Sequence, residues 1–153
     1  MKTLTAILTA STALAAFPAM ARDVTLTTTL NAYGGDGAYL AYYVTDASGA
    51  YAGSLWMAGG RTKYYRHLSG WSQASGGDTS EVAGITGASV GAGQTLTLTL
   101  DLADSLFDAG YVLHVDAAVE HMRDSANEVE VPLTSAGQSV SGGTYIQTLS
   151  YGQ

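Results

Sequence analysis

The sequence predicts an all-β protein, an antiparallel β-sandwich, and three observations predict it. Apolar and polar residues alternate with a period of two in several short stretches, Gly-rich turns separate those stretches, and no helical apolar period follows the N-terminal segment. An immunoglobulin-like arrangement is the first expectation and a small β-barrel the second, because pattern alone does not separate them.

The N-terminal segment sets the compartment. Lys2 precedes an apolar run from Leu4 to Phe17, and Ala19-Met20-Ala21 has the small-x-small form of a cleavage site, so Met1 to Ala21 reads as a secretory signal peptide. The run is shorter than the roughly 20 apolar residues that span a bilayer. Residues 22–153 are then expected to form a single β-sandwich domain.

Charge and cysteine content narrow the function classes. The chain carries a net charge of -7 with Lys2 counted, and an acidic surface with few basic residues is a poor partner for nucleic acid or anionic lipid. Cysteine is absent, which removes disulfides, thiolate metal sites and cysteine nucleophiles together. An exported, disulfide-free domain of this size is expected in a bacterial periplasm.

Each strand follows from its own pattern. After Asp23, Val24, Leu26 and Leu30 alternate with Thr25, Thr27 and Thr29, which predicts a half-buried strand ended by Gly34-Gly35-Asp36-Gly37. Tyr39 to Thr45 is almost continuously apolar or aromatic and predicts a central strand covered on both faces. Asp46-Ala47-Ser48-Gly49 is a turn with Gly where a positive φ is needed, so Ala50 to Met57 returns antiparallel. Gly59-Gly60 ends that strand. Arg61 to Leu68, basic and aromatic, is expected to be a third, more exposed strand or edge segment, and Ser69 to Gly93, without any period, a long surface loop.

The second half is plainer. In Gln94 to Leu102 the residues Leu96, Leu98, Leu100 and Leu102 face one way and Thr95, Thr97, Thr99 and Asp101 the other. Tyr111 to His121, Glu128 to Leu133 and Thr144 to Tyr151 complete about eight strands, with Pro132 marking an edge. Asp104 and Asp108 fall in a turn-like connection where Asp bonds backbone.

Two local clusters invite a chemical reading. His114, Asp116 and Glu120 share strand parity, a set that would suit a metal if a neighbouring strand helped, and whose plainer reading is a solvated polar face with His121 hydrogen-bonded at the strand end. His67, in Lys63-Tyr64-Tyr65-Arg66-His67 beside Arg61, belongs to a positive, aromatic patch suited to an acidic partner or to the phosphate and ring of a flavin, or else to a charge-protected edge. No serine elbow, metalloprotease helix or reactive cysteine is present, and a non-enzymatic protein is expected.

In order and spacing, Tyr39-Leu40-Ala41 to Asp46 and Gly49, Leu55-Trp56, Lys63-Tyr64 to Leu68 and Trp71, Gly110-Tyr111-Val112-Leu113 and Glu120-His121 resemble domain-of-unknown-function family 2271. The resemblance implies an exported bacterial protein whose gene lies beside those of PepSY-type membrane proteins and flavin transferases, in settings of iron acquisition or extracytosolic electron transfer. Ala83 to Ser89 (AGITGAS) is in addition similar to the motif at which a periplasmic transferase attaches FMN to a hydroxyl, with Ala83 in place of the motif's Asp and Ser in place of its more usual Thr. That resemblance implies Ser89 as an acceptor of covalent FMN, with Thr86, Gly87 and Ala88 as the flexible acceptor segment, the alternative being a plain loop that leads into the Leu96 strand; because the basic, aromatic segment runs directly into this loop, Tyr64, Arg66 and Trp71 are the candidate platform beside it. The functional expectation is a flavin-linked or iron-linked redox partner of a membrane protein; the alternative is a cofactor-free structural or protein-interaction module.

Overall fold

The computed structural model describes residues 20–153. The expected signal peptide lies outside the described residues except for Met20 and Ala21, and Ala21 opens the first strand. In chain order the elements are β1 (Ala21–Leu30), β2 (Ala38–Thr45), β3 (Tyr51–Ala58), α1 (Ser69–Ser75), β4 (Thr86–Gly87), β5 (Thr95–Ala103), β6 (Val112–Val119), β7 (Ser125–Pro132), β8 (Gln138–Ser141) and β9 (Ile146–Gly152). They form a four-stranded sheet, β5-β1-β9-β8, and a five-stranded sheet, β4-β3-β2-β6-β7. The sheets face one another without closing into a barrel. All pairings are antiparallel except that of the short β4 with β3.

The alternation read from the sequence is what packs the sandwich. Val24, Leu26 and Leu30 of β1 meet Leu40, Tyr42 and Val44 of β2 and Leu113, Val115 and Ala117 of β6 in one core between the sheets. The threonines of β1 and β5 stay on the outer face, where Thr25 and Thr99 pair hydroxyls at 3.2 Å and Thr29 and Thr95 at 3.1 Å. Thr28 is the exception: it is buried and holds the Tyr42 hydroxyl at 2.7 Å, which satisfies both groups inside the core. The Asp46–Gly49 turn forms as expected, with Gly49 at φ 85° and the Asp46 carboxylate accepting the N–H groups of Ser48 and Ala50.

β2 is covered on both faces, as expected. The cover on its second face is not the expected one. Arg61 to Leu68 is not a strand: Thr62–His67 is a 3-10 turn that runs into α1. Nor is Ser69 to Gly93 a bare surface loop, because it holds α1, a second 3-10 turn at Thr79–Val82 and β4. The cause is a spacing of three. Tyr65, Leu68 and Trp71 fall one turn apart and all are buried, with Ala74 packed beside them, so the segment lays a continuous apolar stripe on the five-stranded sheet. That stripe forms a second core with Ala41, Tyr43, Met57, Val82 and Ala118.

Two buried carboxylates tie the layers together. Asp116 on β6, wholly buried, accepts the Trp71 N–H at 2.6 Å and the Asn127 N–H at 2.9 Å. Glu128 on β7 accepts the N–H groups of Gly143, Thr144, Tyr145 and Ile146 at 2.8–3.1 Å, and so fixes the turn between β8 and β9.

Candidate functional site

The antiparallel register decides where a site can form. Ala38, at the start of β2, pairs with Val119, at the end of β6. The glycine-rich turn before β2 and the turn after β6 therefore emerge at the same end of the sheet. The 3-10 turn after β3 arrives there too, since Leu40 pairs with Ala58. Between them lies an open cleft of about 500 Å³, within the size range of small-molecule sites.

The lining is polar at the rim and apolar at the floor. Asp36 and Gly37 come from the turn before β2, Arg61, Tyr64 and His67 from the 3-10 segment, Glu120, His121, Met122 and Asp124 from the turn after β6, and Ser89 from the connection that follows β4. Tyr39, Ala118 and Val119 form the floor. Tyr64 donates its hydroxyl to Glu120 Oε1 at 3.0 Å, and His67 Nδ1 lies 3.0 Å from Asp124 Oδ2. Tyr39 holds the rim together: its hydroxyl accepts the Arg61 N–H at 3.1 Å and its ring meets that of Tyr64 edge-on at 5.6 Å. His121 is exposed, adopts φ 62° and lies 3.8 Å from Glu120, so it caps the strand without the hydrogen bond expected of it.

Charge in the cleft is unbalanced. The lining holds one guanidinium, Arg61, and three carboxylates, Asp36, Glu120 and Asp124, with the Lys63 ammonium 4.8 Å from the Tyr64 ring and Arg66 beside His67 at its outer margin. The lining itself favours a cation, and Lys63 and Arg66 at the margin temper that field.

The predicted residues divide between this cleft and the rest of the molecule. Tyr64 and Ser89 line it together, and Ser89 is exposed with its hydroxyl against Gly37. Trp71 lies elsewhere: it is 1% exposed, packs edge-on against Tyr65 and donates its indole N–H to Ser54, so it offers no platform. Arg66 stays outside the lining, exposed, with Nε 3.5 Å from His67 Nε2. Thr86 and Gly87 do not form a flexible segment, because they are β4, paired with Met57 and Ala58. Gly87 is needed there for space: a Cβ would lie 2.6 Å from the Trp56 ring. Only Ala88 and Ser89 stand free between that pairing and the Ala38–Val90 bridge.

The expected solvated face of β6 is also buried. His114 and Asp116 point into the second core, under α1, while Glu120 faces the cleft. His114 stacks on Tyr43 at 4.9 Å, and its nitrogens meet Thr45 Oγ1 at 2.8 Å and Asn127 Oδ1 at 3.0 Å. Burial pushes the Asp116 carboxyl up, against the pull of the N–H groups of Asn127, Trp71 and Gly70 and of nearby His114. These groups are engaged with one another and with backbone, which makes them a structural network. Among the described residues no three His, Asp or Glu side chains converge as a preformed metal site.

Asp36, Tyr39 and Asp124 had drawn no attention as site residues. Their signal was topological: loops flanking two paired antiparallel strands at the same end must be neighbours.

A family model described as a predicted periplasmic protein (DUF2271) matches residues 21–148. No curated protein and no solved structure matches the chain. No helix among the described residues is long and apolar enough to cross a membrane.

Proposed function

This chain belongs to the DUF2271 family of predicted periplasmic proteins, and from that premise we propose that it is a non-enzymatic accessory module holding a positively charged ferric chelate for a membrane partner. One observation carries the reading: a cleft of about 500 Å³ lined by the Tyr64 hydroxyl, by Asp36, Glu120 and Asp124, and by His67 and His121. Phenol and carboxylate oxygens are hard donors suited to ferric iron, with imidazole as a borderline partner. Among the described residues no three His, Asp or Glu side chains converge here, so the reading is of an ion that brings donors of its own, and the acidic lining favours a chelate of positive charge.

The flavin-linked role suits the cleft less well. Ser89 would hold FMN by a phosphoester and Tyr64 would lie along its ring system, which would supply redox chemistry to a partner. The exposed hydroxyl and the aromatic ring fit that group, whereas the three carboxylates of the lining oppose its phosphate and are offset only by Arg61 and by Lys63 and Arg66 at the margin.

The test is a calorimetric titration of the purified protein with a ferric trihydroxamate that carries a free amine, beside free FMN. Heat from the chelate alone, lost in Glu120→Gln with Asp124→Asn, supports the reading. Silence toward the chelate sinks it. A mass gain of one FMN after incubation with a flavin transferase and FAD, absent in Ser89→Ala, would establish the flavin role instead; neither response would leave a cofactor-free interaction module.

A further inference from the structure

The two sheets have four outer edges, and three of them are blunted. β4 spans only Thr86–Gly87 and β8 only Gln138–Ser141. β7 carries Glu128, Glu130 and Pro132, and Asn127 at φ 52° marks the shift of register against β6. Short length, charge, proline and bulges are the devices by which edges avoid pairing with other chains. β5 has almost none of them. It runs from Thr95 to Ala103 in unbroken register with β1, without proline, lysine or arginine, and Asp101 is its one charge.

The free side of β5 can be read from its partnered side. The ladder to β1 is bracketed by Leu30 N–H to Gln94 O and by Asp104 N–H to Met20 O, each 2.9 Å. Antiparallel pairs bond at alternate residues, so Leu96, Leu98, Leu100 and Leu102 bond inward to β1. The N–H and C=O groups of Thr95, Thr97, Thr99 and Asp101 then point away from the sheet, where no strand among the described residues meets them. Leu98 and Leu102 are buried, while Leu96 and Leu100 are only half covered.

We infer that β5 is a homodimerisation edge, pairing antiparallel with β5 of a second copy about a two-fold axis at Leu98. The sequence Thr95-Leu96-Thr97-Leu98-Thr99-Leu100-Asp101 is self-complementary in that register. Thr97 faces the partner's Thr99 and Thr95 faces the partner's Asp101, and these are the residues whose backbone groups point outward. Each half-covered Leu96 meets the partner's Leu100, so the leucines left incomplete at the sandwich margin cover one another. Moving the axis to Thr99 would set Leu96 against the partner's already buried Leu102, and an axis at Asp101 would set like charges face to face. The result is one continuous sheet in which the outward amides from Thr95 to Asp101 are paired, an isologous interface of the common two-fold kind. It lies on the four-stranded sheet, at the edge away from β8.

Sedimentation equilibrium of the exported protein, purified from its own periplasm, tests the inference. The expected result is a reversible dimer, with the Thr95, Thr97, Thr99 and Asp101 amides protected from exchange in proportion to the dimer fraction. Thr97→Pro removes an outward donor without touching the β1 ladder, and Thr97→Lys with Thr99→Lys places like charges across the axis; each should weaken the dimer by at least about tenfold. Thr97→Cys mixed with Thr99→Cys should oxidise to a mixed disulfide dimer in preference to either self-dimer. A monomer at every concentration overturns the inference, whether its outward amides are exposed or are protected by another segment of the same chain. So does a dimer unaffected by both edge variants in protein whose thermal melt shows it folded, or co-purification of a different chain on this edge.

Discussion

The Asp116 carboxylate receives the Trp71 backbone N–H at 2.6 Å, so a strand of the sandwich holds the first turn of the helix that covers it. α1 has no side-chain cap of its own, and the orphan N–H groups of its first turn need an acceptor. Asp116 is that acceptor. Asp116→Ala would leave the Trp71 and Asn127 donors unpaired in a buried site and should destabilise the protein by about 3 kcal/mol, since each unsatisfied group costs on the order of 1–3 kcal/mol. Urea unfolding checks this, and a loss below about 0.5 kcal/mol would show that water replaces the carboxylate.

Gly70 is the second half of the same joint. A Cβ there would stand 2.7 Å from Asp116 Oδ2 and 2.9 Å from the Tyr43 hydroxyl. Gly70→Ala should therefore cost roughly 1–3 kcal/mol through overpacking, although Ala is the better helix former. Asp116→Ala removes the carboxylate and leaves only the Tyr43 hydroxyl in the way, so the double variant should be more stable than the sum of the single losses predicts.

Glu128 gathers four consecutive backbone N–H groups from Gly143 to Ile146. Glu128→Gln replaces one acceptor oxygen with a donor facing donors and removes the charge from the remaining bonds. A loss of about 2–4 kcal/mol is expected, with the β8–β9 turn becoming the fastest-exchanging part of its sheet. Exchange rates measured amide by amide would show whether the effect stays at that turn.

High pH should unfold the protein through its tyrosines. Burial first, and then the hydrogen bond to Glu81, push the Tyr51 hydroxyl from 10.0 up to about 12, and burial raises Tyr42 and Tyr43 as well. The unfolded chain ionises first. The stability these groups contribute is therefore whole below pH 10 and is lost as the pH rises through about 12. Tyrosinate absorbance should show an early class of exposed tyrosines and a late class that appears only with loss of near-ultraviolet circular dichroism. A single class ionising at the ordinary pH, with the fold intact, would contradict this.

Strands with one wet face were legible in the sequence because their alternation reports burial directly. β1 and β5 are the clear cases, with leucine or valine inward and threonine outward. The hairpin of β2 and β3 was legible from the chemistry of Asp46 and Gly49. The helical layer was not, because its apolar residues Tyr65, Leu68 and Trp71 stand among glycine, serine, threonine and tyrosine of weak helical propensity, and tertiary burial overrides that local preference. The same override took Trp71 from the candidate platform into the core and turned His114 and Asp116 inward. Ser89 and Tyr64 were expected beside one another, but the rest of their cleft, Asp36, Tyr39 and Asp124, was not, since it depends on which strand ends meet.

The cleft has walls with different roots. Asp36, Glu120 and Asp124 hang from strands anchored in the larger core, while Arg61, Tyr64 and His67 ride on the helical layer, which rests on the smaller cluster and on the joint at Asp116. A layer with less apolar burial opens more readily than the sandwich beneath it. The mouth of the cleft is thus where local opening is expected first, and a guest spanning both walls would lower the population of the opened form by its own binding free energy. Occupancy would then be legible to a partner as stiffness of the helical layer, with no change in the position of a single strand.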